Sequence, residues 1–183
     1  VVLSNHDDLR DIAPKGTRFE CVATESEILD VLQEESIDVV VLAKYMQILS
    51  PEFCRRYERR VINVHNSLLP AFPGARPYHR AFAAGVKICG ATAHYATAEL
   101  DAGPIIAQRA FTCDHAHTVA DLKREGQGTE GWALLEALQA HLDHRVFFLP
   151  DDGNRTVVFP PTELDGRDFY WGKLGSGGGF TLI

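Results

Sequence analysis

Asn63, His65 and Asp101 are the side chains whose types and spacing could do chemistry. In the run Val61-Ile62-Asn63-Val64-His65 the Asn and the His stand at i and i+2. On a strand both therefore leave one face, while Ile62 and Val64 leave the other. Two hydrogen-bond donors then converge on one spot. The run opens into the turn-rich Asn66-Ser67-Leu68-Leu69-Pro70, which puts the pair at the carboxyl end of a strand, where open α/β sheets bind ligands. Asp101, just before a sharply turning Gly103-Pro104, could supply a base from a neighbouring loop. Taken singly, each of the three is more often a turn or packing residue. Their combination with the unusual string Asn66 to Gly74 is what points to a site.

Elements must exist to position these groups. Val1 to Ser4, Phe19 to Ala23 and Ile37 to Leu42 read as strands with helical stretches between them, and the third is almost wholly apolar, as in a parallel strand covered on both faces. Thr24-Glu25-Ser26-Glu27 is a capping box, with Ile28, Leu29, Val31 and Leu32 as the buried stripe of the helix that follows. Ser50-Pro51 opens a second helix, with Ser at the cap and Pro at the first turn. A short helix from Tyr78 to Ala84 stops at Gly85, and strands follow at Ile88 to Tyr95 and Ile105 to Phe111. Thr118 caps a helix whose apolar residues Trp132, Leu135, Leu138 and Leu142 recur at helical spacing. Gly126, Gly128 and Gly131 weaken its first half by roughly 1 kcal/mol each relative to Ala, so a kink or break is expected there. Strands Arg145 to Leu149 and Arg155 to Phe159 would be joined by the turn Asp151-Asp152-Gly153-Asn154. Strand, helix, strand alternation means an α/β fold: a Rossmann-like, mostly parallel sheet with helices on both faces.

Composition narrows the partners. With 183 residues and 45% hydrophobic content, one domain with a real core is expected. A net charge of −7 argues against nucleic acid and leaves a small molecule as partner. Cys21, Cys54, Cys89 and Cys113 form no CxxC pair and suit a reducing cytoplasm. No apolar run approaches the ~20 residues of a membrane span, so no membrane partner is expected. Asp114-His115-Ala116-His117 could suggest a metal, but no Cys or Glu stands at ligand spacing, and no metal site is expected. Lys44, Arg76, Arg80 and Lys87 are either solvated surface or contacts for substrate carboxylates. The tail, 161–183, is Gly-rich and expected to be flexible, leaving 1–160 as the catalytic domain.

The chain resembles the formyltetrahydrofolate-dependent formyltransferases and hydrolases, which share an Asn-x-His on a strand, then Ser-Leu-Leu-Pro, then Asp-x-Gly. The strings Leu42-Ala43-Lys44-Tyr45-Met46-Gln47-Ile48-Leu49, Gly74 to His79 and Gly90 to Tyr95 favour the hydrolytic branch. The resemblance implies the formyltransferase fold and hydrolysis of 10-formyltetrahydrofolate to tetrahydrofolate and formate, with no tightly bound cofactor. Asn63 and His65 would stabilise the oxyanion, and Asp101 would activate water. Tyr45, Met46, Gln47, Ile48 and Leu49, with Ala96, Thr97, Ala98, Glu99 and Leu100, would line the pterin pocket. Transfer of the formyl group to an amine, or folate binding without turnover, are the alternatives. Hydrolytic members carry an N-terminal ACT-type domain and a first strand and helix ahead of the point where this chain opens. An unpaired edge at Val1 to Leu3, and from it a homo-oligomer, is the corresponding expectation.

Overall fold

The computed structural model describes residues 1–150, 152–161 and 179–182. Its main sheet contains β1 (Val2–Ser4), β2 (Phe19–Cys21), β3 (Ile37–Leu42), β4 (Val61–His65), β5 (Ile88–Tyr95), β6 (Ile105–Thr112) and β9 (Gly179–Leu182), in the spatial order β2-β1-β9-β3-β4-β5-β6. The pairs from β2 across to β4 are parallel, and β5 and β6 continue the sheet antiparallel. β7 (Val146–Leu149) and β8 (Asp152–Val158) form a separate hairpin. The described α-helices are α1 (Glu25–Glu34), α2 (Pro51–Arg56), α3 (Pro77–Ala83) and α4 (Val119–Leu142), and a 3-10 helix spans Asp7–Ile12. None of the described helices is long and apolar enough to cross a membrane.

Local signals and structure agree closely at the helix starts. The Thr24 hydroxyl accepts from the Glu27 amide while the Glu27 carboxylate accepts from the Thr24 amide at 2.8 Å, and Ser50 accepts from the Phe53 amide at 3.0 Å. These caps satisfy amides that the first turn would otherwise leave bare. On one face of the sheet Leu3, Val40, Leu42 and Val61 pack against Ile28, Val31 and Leu32 of α1 and Phe53 of α2. On the other, Val39, Ile62, Ala91, Ala93 and Ile106 pack against Ala133, Ala137 and Ala140 of α4. Helices on both faces are thus as expected. The core is split by the alternation that sends Ile62 one way and Asn63 the other.

Four expectations are corrected. α4 runs unbroken through its glycines, because Gly126 answers to packing: a Cβ there would sit 1.8 Å from the Tyr78 hydroxyl. Its apolar row is not its buried face, since Trp132, Leu135 and Leu142 are 65%, 51% and 48% exposed, whereas the row of alanines is fully buried. Ala91 and Ala93 bring the helix close to the sheet, and only small residues fit that gap. The turn residues Asp152, Gly153 and Asn154 fall inside β8, so the reversal comes earlier. The edge at Val1 to Leu3 is not open: β1 pairs with β2 on one side and β9 on the other, which removes the stated reason for self-association. Most of the expected tail, residues 162–178, lies outside the described residues, and its end supplies β9.

The contrast among the α4 glycines gives a prediction. Gly→Ala in an exposed helix normally stabilises by about 1 kcal/mol, and Gly128 has open space around its missing Cβ. Gly128→Ala should therefore raise the unfolding midpoint. Gly126→Ala drives a methyl into buried Tyr78, and overpacking of about 1–3 kcal/mol outweighs the propensity gain, so its midpoint should fall. Urea titrations of the two variants would contradict this packing if both midpoints moved upward.

Candidate active site

β4 delivers Asn63 and His65 from one face, and the register sets Asn63 between Leu42 of β3 and His94 of β5. His94 is the group sequence reasoning left unassigned. It sits in Gly90-Ala91-Thr92-Ala93-His94-Tyr95, whose small and apolar residues read as core, and only the antiparallel register reveals its partner. The His94 Nδ1 lies 3.0 Å from the Tyr95 carbonyl and its Nε2 lies 3.2 Å from the Asn63 Nδ2. With Nδ1–H donating to that carbonyl, Nε2 holds a lone pair and accepts from the Asn63 amide. Burial holds the His94 imidazole below its ordinary range, which favours this neutral tautomer. The amide of Asn63 is thereby oriented, with its second N–H left to donate elsewhere.

Asp101 arrives on the loop after β5, in the left-handed region at φ 53°, a conformation Asp tolerates better than most residues. Its side chain is 4% exposed, and Oδ2 accepts from the Gly74 amide at 2.7 Å and faces the His65 Nδ1 at 3.3 Å. Oδ1 lies 3.8 Å from the His94 Nε2. The other ring nitrogen of His65, Nε2, is 3.0 Å from the Phe72 carbonyl. Both His65 nitrogens thus face acceptors, and the imidazolium form can donate to both.

The loop between β4 and α3 is held in place from below. The Thr92 hydroxyl donates to the Ser67 carbonyl at 2.7 Å and accepts from the Leu69 amide at 2.9 Å, while the Gln108 amide donates to the Leu69 carbonyl at 2.9 Å. Gly90 makes room for it, since a Cβ there would stand 2.7 Å from Leu68. The Gly74 amide and the Phe72 carbonyl, which hold Asp101 and His65, belong to the same loop.

Asn63, His65, His94 and Asp101 line one cavity of about 360 Å³. Tyr45, Met46, Gln47, Ile48 and Leu49 form one side of it, and Ala96, Thr97, Glu99 and Leu100 another. Ala98 is not among its walls and lines a separate cavity with Cys54 and Arg59. Leu49 is buried in the core and anchors its loop, whereas Met46 and Ile48 are 88% and 67% exposed at the mouth. Such an apolar rim around a few convergent polar groups suits a flat, partly apolar ligand. A larger cavity of about 710 Å³ touches Asp101 but neither Asn63 nor His65. The smaller one is therefore where the chemistry can occur.

The four basic residues separate. Lys44 is paired with Glu130 at 2.6 Å, Arg80 donates to the Pro73 carbonyl, Arg76 lines the cavity and Lys87 is exposed outside it. His117 pairs through its two nitrogens with Asp114 and Glu125.

The buried imidazoles carry a pH prediction. His94 and His141 are both held low by burial, so the native chain declines protons that the unfolded chain accepts near the ordinary value of 6.5. The unfolded state then binds more protons, and stability rises with pH. The contribution is complete above the unfolded value and is lost as pH falls through and below it. His117 shifts the other way, raised first by its hydrogen bond to Asp114, but its pairs are exposed and weak. Urea midpoints should therefore fall between about pH 7.5 and about pH 5; a midpoint that stayed level or rose on acidification would contradict it.

The parallel-rich sheet gathers Asn63, His65 and Asp101 at the carboxyl end of β4, and the formyl transferase family profile matches residues 3–138: the chain belongs to that family. Within it, the chain is 48% identical over 168 residues to the formyltetrahydrofolate deformylase of Synechocystis, covering 87% of this chain and 58% of that protein. It is 45% identical over 166 residues to the formyltetrahydrofolate deformylase of Escherichia coli K12, covering 86% of this chain and again 58% of the relative. The crystal structure of a formyltetrahydrofolate deformylase from Pseudomonas syringae superposes with a TM-score of 0.81 at 42% identity, over 86% of this chain and 55% of that one. That of phosphoribosylglycinamide formyltransferase from Anaplasma phagocytophilum superposes with a TM-score of 0.79 at 27% identity, over 99% and 84%. The chain spans a little over half the length of the deformylases it matches.

Proposed function

We propose that this chain carries the catalytic unit, residues 1–160, of a cytoplasmic enzyme that hydrolyses 10-formyltetrahydrofolate to tetrahydrofolate and formate, with no tightly bound cofactor. The observation that carries the reading is the convergence of Asn63, His65 and a buried Asp101 in one apolar-rimmed cavity. Identity of 42–48% to formyltetrahydrofolate deformylases favours water as the acceptor over an amine.

In this mechanism the pterin lies between the Tyr45 to Leu49 loop and the Ala96 to Leu100 loop, with the formyl carbon above β4. Asp101 takes a proton from water as the water oxygen bonds to the formyl carbon, a general-base contribution of about 10²- to 10⁴-fold. The carbonyl oxygen becomes an oxyanion that receives the second N–H of the Asn63 amide and the Nδ1–H of His65. That N–H is 3.3 Å from Asp101, a long hydrogen bond, and so is available to be shared with a new acceptor. One oxyanion donor is worth about 3–4 kcal/mol in such sites. The proton from water is then relayed to N10 as the C–N10 bond breaks. His94 acts through Asn63 and is a positioning residue.

Incubating the chain with 10-formyltetrahydrofolate in amine-free buffer tests the reading. Formate and tetrahydrofolate should appear in equal amounts. Turnover that began only on addition of an amine would establish a transferase instead, and folate binding with no turnover would overturn both.

A further inference from the structure

Glu130 is a buried charged residue that the mechanism leaves unused. It lies on α4 at 5% exposure, and a carboxylate so placed must be matched by a cation or by donors. Its Oε2 meets the Lys44 Nζ at 2.6 Å and its Oε1 accepts from the Tyr78 hydroxyl at 3.2 Å. Lys44, two residues beyond the end of β3, has a side chain 64% exposed and reaches Glu130 on α4. Its backbone stands at φ 58°, a left-handed conformation that is costly for a Lys and is kept only where the surroundings hold it.

The position of the pair decides what it separates. Beside the catalytic cavity of about 360 Å³ lies a second of about 250 Å³. Lys44, Asn66, Arg76 and Pro77 line both, while Gln127 and Glu130 line only the second. The wall between them thus abuts Asn66, the neighbour of His65. The second space has mixed polar and apolar walls, Gln127 and Glu130 among the polar ones, and is large enough for a small amine. The same fold serves proteins that hydrolyse a formyl donor and proteins that pass its formyl group on. The difference must lie in what is allowed to stand beside the formyl carbon.

We propose that the Lys44–Glu130 ion pair, braced by Tyr78, is the partition that selects the acceptor: it separates the second cavity from the formyl carbon, so that an amine standing there does not reach it, and leaves water as the reacting species. This inference rests on the hydrolytic reading. Without the partition, an amine nitrogen would form the new C–N bond with its lone pair. The C–N10 bond would then break with its electrons going to N10, and one amine proton would end on N10. The products would be a formamide and tetrahydrofolate, with no formate released.

Lys44→Gly removes the side chain and suits the left-handed backbone, but alone it leaves a buried carboxylate unpaired. Lys44→Gly with Glu130→Gln removes that charge while keeping an acceptor for Tyr78. Lys44→Asn, short and tolerant of the same backbone, is the second variant. The wild-type chain and the variants are incubated with 10-formyltetrahydrofolate and glycinamide, and N-formylglycinamide and formate are quantified by mass spectrometry. The ratio of formamide to formate should rise at least about tenfold in the double variant, about 1.4 kcal/mol in the partition, and rise in Lys44→Asn as well. An unchanged ratio in variants that still consume the folate would overturn the proposal. So would loss of both products in folded variants, which would make the pair part of the catalytic positioning instead. Absence of formate from the wild-type chain without amine would strike the hydrolytic reading, and is seen separately from the ratio.

Discussion

Replacing Asp101 by Asn should cut formate release at least about 10²-fold while leaving folate binding within a few-fold. The substitution keeps the shape of the side chain and most of its contacts. The Asn oxygen can take the place of Oδ2, which accepts from the Gly74 amide at 2.7 Å, and the Asn nitrogen can take that of Oδ1, 3.8 Å from the His94 Nε2. The loop therefore stays in place and the pocket walls keep their positions. What disappears is a group able to accept a proton from water, and with it the negative partner of the His65 ring. The expected signature is a fall in kcat at nearly constant affinity, read by formate release and by calorimetric titration with a folate. A variant that turned over within about tenfold of the wild-type chain would remove Asp101 from the role of base.

The second large effect is a failure of additivity. Asn63 and His65 leave the same face of β4 and line one cavity; in the proposed mechanism they donate to one oxygen, so neither can do its full work alone. Asn63→Ala and His65→Ala should each lower the single-turnover rate by about 10² to 10³-fold. The double Ala variant should lose much less than the product of those losses, as in other sites where residues act as a unit. His65→Ala also releases the Phe72 carbonyl, so its folding midpoint must be measured alongside. Strictly multiplicative losses would mean that the two side chains act on different steps.

Much of this site was legible because its signals are local. The i, i+2 spacing of Asn63 and His65 requires nothing but a strand, and the turn-forming string after His65 fixes which end of the strand they occupy. The caps at Thr24, Ser50 and Thr118 work the same way, each binding an amide three residues on. What stayed hidden depends on residues distant in sequence. His94 acquires meaning only through a register that sets it against Asn63, and in one dimension it is a His in an apolar strand. Gly126 is a helix weakener until Tyr78 is known to lie against it. Trp132 and Leu135 form a persuasive helical row, yet the alanines between them face the sheet, because the close approach of α4 to Ala91 and Ala93 selects for size over hydrophobicity. Lys44 illustrates the same limit: its charge was visible, but its partner lies on α4, far along the chain.

Hydrolysis has a direct isotopic signature. In a single turnover of 10-formyltetrahydrofolate in ¹⁸O-labelled water without any amine, the formate produced should carry one solvent oxygen per molecule, the other coming from the formyl group, and Asp101→Asn should suppress its appearance. Formate without solvent label, or no formate from a folded, folate-binding chain, would contradict the assignment of water as the nucleophile.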